Sequence, residues 1–103
     1  MKLWLDDVRP APGDMFHEWF WSRSVNTTKL AIVAAENAGQ VIEVLDLDYD
    51  LGDYFYNGGD AIKLLDWLEK TGRNYPIRLH SMNPVGIQNM RAIIERNGWV
   101  EIV

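Results

Sequence analysis

Asp6 and Asp7 stand together where the apolar run KLWL stops, and Asp48 and Asp50 stand where the longer run VIEVLDL stops. If the two runs are neighbouring strands, up to four carboxylates converge beyond their ends. Charges that close repel strongly unless a cation lies among them. A ligand set made only of oxygen favours Mg2+, or Mn2+ or Ca2+, over zinc. Such an ion would also offset the repulsion between an acidic protein and a phosphate. Asp6, Asp7, Asp48 and Asp50 are therefore the candidate metal ligands, and solvated loop acids are the plainer reading of each taken singly.

His80 and Ser81 follow a third apolar segment, YPIRL. An imidazole titrates near neutrality and serves as general acid or base. Beside a metal-bound phosphate, His80 could protonate a leaving oxygen or activate water; alternatively it is a partly buried ring satisfied by backbone. Ser81 could hydrogen-bond a phosphate oxygen or close a turn. Asn83 before Pro84 has the form of a helix N-cap with proline at the first helical position. It could also touch a substrate, because the helix it opens would aim its amides at the same crevice. Arg9 can hold a phosphate bidentately, or pair with Asp6, Asp7 or Asp50. Asp48, His80, Ser81 and Arg9 make up the candidate catalytic set, with Arg9, Ser81 and Asn83 as candidate phosphate contacts. His17, in a loop among Met15, Phe16 and Trp19, reads as incidental. Tyr54, Phe55 and Tyr56 could stack on a base or cap the core, and packing is the expectation.

These groups need elements to position them. Residues 2–5 read as a buried strand, 9–13 (RPAPG) as a loop and 18–23 (EWFWSR) as a second strand. Asn26 is the candidate N-cap of a helix over 27–37. Residues 41–47 form the best strand, 51–59 a glycine-containing loop, and 60–70 a helix with Ile62, Leu65 and Leu68 on one face. A short strand over 75–79 precedes a helix from Pro84 to Asn97, with Gly98 beyond it, and 99–103 reads as the last strand. Strands alternating with helices give βαβ units in a mainly parallel sheet, and right-handed crossovers put helices on both faces. The expected fold is a single small doubly wound α/β domain over 1–103, with five strands in the order 2-1-3-4-5. In that order the ligand crevice lies between the first and third strands, which carry the acids. Trp4, Trp67 and Trp99 read as core. Trp19 and Trp21 alternate with Phe20, leaving an aromatic face on an edge strand where a homodimer contact could form.

Composition narrows the partners. Of 103 residues 48% are hydrophobic and 24% charged, as in ordinary folded proteins. The absence of cysteine rules out disulfides and thiolate metal sites and suits the cytoplasm. The N-terminal apolar run is too short for a signal peptide, and no stretch approaches the roughly 18 apolar residues of a membrane span. A net charge of −5 counts against binding a nucleic-acid duplex or an anionic membrane. A small phosphate-containing ligand is the expected partner.

Taken together, KLWLDDVRP, LDLDYDLG with the GGD after it, and HSMNPVGIQNM resemble the cyclic-phosphate-processing receiver-like family, a divergent branch of the response-regulator receiver fold. The resemblance spans nearly the whole chain and rests on the combination of DDxRP, LDxDLG and HSxNP. It implies Mg2+ held by Asp7, by Asp6 directly or through water, by Asp48, and by the backbone carbonyl of Asp50. It also implies a metal-dependent phosphoesterase acting on a cyclic nucleotide or another cyclic phosphate. Several receiver features are missing. No Lys follows the last strand to pair with a phosphoryl group, and no final helix follows it. The loop over 9–17 replaces the helix between the first two strands, and Leu-Gly follows Asp50 where receivers carry a proline. His80 stands just before the Ser/Thr position used in switching. The missing Lys argues against the alternative of a signalling receiver phosphorylated on Asp48. A non-catalytic nucleotide- or protein-binding module is the third reading.

Overall fold

The computed structural model describes residues 1–13 and 19–103. His17, and Glu18 at the expected start of the second strand, lie outside the described residues. Strands β1 (Lys2–Leu5), β2 (Trp19–Ser22), β3 (Val44–Leu47) and β4 (Ile77–Leu79) form a wholly parallel sheet in the order β2-β1-β3-β4. Helices α1 (Val25–Asn37), α2 (Ile62–Lys70) and α3 (Pro84–Asn97) connect and follow them, with a 3-10 turn at Gly52–Tyr54.

The connections β2-α1-β3 and β3-α2-β4 step in one direction across the sheet, and α3 leads on to Glu101 beside Ile77, beyond β4. Right-handed crossovers in one direction put all three helices on one face. The core agrees with this: Leu3, Leu5, Leu45, Leu47 and Ile77, alternate residues of their strands, share one apolar cluster with Ile32, Leu65, Met90 and Ile94 of the helices. The expected doubly wound sheet is thus corrected to a sheet with helices on one face. Only β1 to β2 steps the other way, and no helix occurs there among the described residues. The opposite face presents Trp21, Trp4, Asp46 and Arg78 in register across the four strands.

The expected fifth strand is reduced to a single bridge between Glu101 and Ile77, flanked by Ile77 N–H to Val100 O (3.0 Å) and Ile102 N–H to Ile77 O (2.7 Å). Other boundaries move for identifiable reasons. Pro76 has no N–H to give a ladder, so β4 begins at Ile77. The Glu43 N–H is taken by the Met1 carbonyl at 2.8 Å, ahead of a strand that opens at Val44. Ser24, not Asn26, caps α1: its Oγ accepts the Thr27 N–H at 3.1 Å. Asn26 instead binds Asn57, through its N–H and its side-chain amide, both at 3.1 Å. The Asp60 carboxylate accepts the Leu51 N–H at 3.1 Å, and α2 opens two residues later. Asn83 caps α3 as expected, accepting the Gly86 N–H at 2.9 Å. Trp67 and Trp99 pack against the core cluster, while Trp4 is buried on the other face. None of the described helices is long and apolar enough to cross a membrane.

Candidate metal and phosphate site

β1 and β3 are neighbours, and the chain leaving each stays tied to the sheet. The Asp48 N–H bonds the Leu5 carbonyl at 2.9 Å, and the Asp6 N–H bonds that of Ser22 at 3.0 Å. One carboxylate oxygen each from Asp6, Asp7 and Asp48 therefore lies within 4.8 Å of the other two. The turn after β3 closes over them at Gly52. Its φ is +50°, and a Cβ there would collide with Asp7 Oδ2, so glycine is required on both counts.

Asp6 is fully buried, and both its oxygens are occupied. Oδ1 accepts the N–H groups of Val8 (3.0 Å) and Arg9 (2.8 Å). Oδ2 meets Arg9 Nε and His80 Nε2, each at 3.0 Å. Burial alone would raise the Asp6 pKa, but the two amides, His80 and the Arg9 charge outweigh it and hold the group below its ordinary value. Asp48 goes the other way. Burial first and the Asp6 charge second raise its pKa, against the lowering effect of Ser81, the Tyr49 amide (2.8 Å) and Arg9. Arg9 spans the two acids, with Nη2 at 3.4 Å from Asp48 Oδ2. The salt-bridge reading of Arg9 thus holds for Asp6, and Asp48 is its second partner.

An all-carboxylate set of three converging oxygens suits a hard divalent cation. Asp7 and Asp48 are the members whose oxygens are least committed; Asp6 would join through water or after Arg9 moves. The Asp50 carboxylate stands apart from the converging group, with Oδ2 accepting Asn83 Nδ2 at 3.2 Å.

His80 leaves β4 with its backbone N–H on the Leu47 carbonyl at 3.0 Å. Its ring is stacked on Trp4, centroids 3.8 Å apart and planes 3° from parallel. Nδ1 lies 2.6 Å from Asp46 Oδ1 and Nε2 faces Asp6, so two carboxylates satisfy the ring, not the backbone. Ser81 closes the anticipated turn, its Oγ accepting the Asn83 N–H at 3.1 Å, and it lies beside Asp48, whose pKa it lowers. Tyr54 packs against the core, but Phe55 and Tyr56 are exposed by 59% and 80%, which corrects the packing expectation for those two.

Sequence reading overlooked Asp46 and Trp4, which hold His80 from the side and from below. A signal for Asp46 existed: an acid inside the buried strand VLDL is costly unless paired. Its Oδ2 is buried without a hydrogen-bond partner, with Arg78 Nη1 at 4.0 Å.

No curated protein and no solved structure matches the chain. A family profile does match it, over residues 1–96 of 103, a stretch that takes in both acid pairs, Arg9 and the His80–Asn83 turn. Its description is the cyclic-phosphate processing receiver domain, and the parallel sheet of order 2-1-3-4 is consistent with a receiver-like fold. The chain belongs to the cyclic-phosphate processing receiver domain family.

Proposed function

We propose that this chain is a divalent-metal-dependent phosphoesterase that opens a cyclic phosphate or cyclic nucleotide at the pole formed by Asp6, Asp7 and Asp48. The observation that carries the reading is the convergence of three carboxylate oxygens within 4.8 Å in a chain of this family. Asp7 and Asp48 would hold Mg2+ (or Mn2+ or Ca2+), with Asp6 directly or through water and Asp50 through its backbone carbonyl. The bound cation supplies Lewis-acid polarisation of the phosphoryl group and offsets the acid–phosphate repulsion.

In the reaction a water oxygen forms a bond to phosphorus and releases a proton to solvent, one ring P–O bond breaks, and the freed oxygen takes a proton. Asp48, braced by the Tyr49 amide and Ser81, orients the water. Arg9 pairs with the phosphate oxygens, and Ser81 and the amides that open α3 behind Asn83 add donors on the other side. His80 donates the proton through Nε2, the nitrogen turned toward the acids, while Asp46 holds Nδ1. The test is turnover of a panel of cyclic phosphates, followed by 31P NMR, with Mg2+ or Mn2+ and with chelator. Metal-dependent ring opening that falls at least 100-fold in Asp48→Asn is expected. No ring opening of any member, or turnover indifferent to chelator and to Asp48→Asn, would refute the proposal.

A further inference from the structure

Beside the acidic pole lies a cavity of about 380 Å3 lined by Trp21, Ser22, Arg23, Ser24, Thr27, Tyr54, Tyr56 and Asn57. That volume falls in the range of small-molecule sites. Its walls are joined to the acids: Trp21 Nε1 donates to the Asp6 carbonyl at 2.8 Å, and Tyr54 ends the turn whose Gly52 lies against Asp7. The lining has the chemistry that receives a flat, polar heterocycle. Tyr54 and Tyr56 are stacked, with centroids 6.5 Å apart, and the Arg23 guanidinium lies over the Trp21 ring at 4.3 Å and 6.0 Å from that of Tyr54. Tyr56 is 80% exposed, a large aromatic kept in water at the rim of a cavity, where core packing does not account for it. Ser24, Thr27 and Asn57 form a hydrogen-bonded floor, with Ser24 Oγ 2.8 Å from both Thr27 Oγ1 and Asn57 Nδ2.

We propose that this cavity is a base-binding subsite, and that the substrate is a nucleoside cyclic phosphate whose base stacks on Tyr56 and Arg23 while its phosphate reaches the acids. The proposal deepens the phosphoesterase reading and rests on it for the phosphate end. Stacking of a base on aromatic side chains is sequence-tolerant, because every base has a π-face, so the subsite selects for a base without choosing sharply among bases. The phosphate and the base sit at adjoining places along the ends of β1, β2 and β3, so one ligand can occupy both.

The test compares binding of adenosine 2′,3′-cyclic phosphate with that of glycerol 1,2-cyclic phosphate, which has the same ring but no base, by calorimetry in Mg2+. Binding of the nucleotide at least tenfold tighter is expected. Tyr56→Ala and Arg23→Ala, both exposed positions that leave the core intact, should remove most of that advantage and leave the base-free ligand unchanged. Equal affinity for the two ligands, or a nucleotide advantage untouched by both variants, would overturn the subsite while sparing the phosphoesterase reading. If neither cyclic phosphate binds, that reading fails on its own, and adenosine alone then decides: saturable quenching of tryptophan fluorescence lost in Tyr56→Ala sustains the subsite, and its absence overturns it. A short oligoribonucleotide ending in a 2′,3′-cyclic phosphate identifies the source of the base. Binding tighter than the mononucleotide, still weakened by Tyr56→Ala, sustains the subsite with an RNA end as its source; equal binding sustains it with a free nucleotide.

Discussion

Asp46, His80, Asp6 and Arg9 form one chain of alternating acid and base from under the sheet to the acidic pole, and each member depends on its neighbours. His80 is what separates the two buried acids, with one ring nitrogen on each. Removing it leaves both carboxylates in a poorly solvated place, and loss of one partner from a buried pair costs about 3–5 kcal/mol. His80→Ala should therefore lower the unfolding free energy by about 3 kcal/mol in urea titration, whereas Asp46→Asn, which keeps an oxygen facing the ring, should cost less. Equal stability of His80→Ala and the parent would show that the ring carries none of this load. A second residue-scale prediction concerns Gly52, whose backbone crowds Asp7. Gly52→Ala adds a Cβ at φ +50°, worth roughly 1–2 kcal/mol of strain, and pushes Asp7 aside. A Mg2+ affinity at least tenfold weaker by calorimetry is expected, and unchanged affinity would mean that Asp7 is not a ligand. The acids at strand ends were legible in the sequence because an apolar run that stops at a carboxylate places it at the sheet edge. The pairing of Asp46 with His80 was not, because the two are 34 residues apart and no local pattern links them.

At the scale of elements, the Tyr75 hydroxyl, just ahead of β4, bonds the Glu36 carboxylate on α1, and Arg73 pairs with the same carboxylate at 2.9 Å. Burial, with Glu36 second, pushes the Tyr75 pKa up to about 12 from 10.0. The fold thus prefers the neutral phenol. The resulting stability is fully present below pH 10 and is lost as pH rises through 12. The parent should therefore lose its stability advantage over Tyr75→Phe between pH 10 and 12 in thermal melts. An advantage that stays constant to pH 12 would contradict this. Elements were readable where local chemistry was unambiguous, as at the Asn83-Pro84 start of α3. They were misread where a side chain was drawn into a tertiary contact. Asn26 has the right chemistry for a cap, yet Asn57 claims it, and Asp60 serves Leu51 in place of its own helix. The last strand failed for a similar reason. Its run of apolar residues suits a strand, but among the described residues only Glu101 pairs with β4, and its carboxylate is held from the other side by Arg91 on α3 at 2.6 Å.

For the whole molecule, the order 2-1-3-4 decides both the shape and the site. Every helix-bearing crossover steps the same way, so one face of the sheet is covered by helices and the strand ends gather the acids at one pole. The parallel sheet was legible from the alternation of apolar runs and helices, and the order of its first four strands from the resemblance to receivers, but the one-sided cover was not. It follows from the direction of each crossover, which a list of elements leaves out until the order is applied to it. Around that pole Arg9 serves as the internal counter-ion for Asp6 and Asp48 in a chain of net charge −5. The central claim, that the pole receives a divalent cation, is tested most directly by the anomalous density of crystals grown in saturating Mn2+. A single peak bridging the carboxylates of Asp7 and Asp48 is predicted. No peak there, with Arg9 still joined to both Asp6 and Asp48, would contradict it.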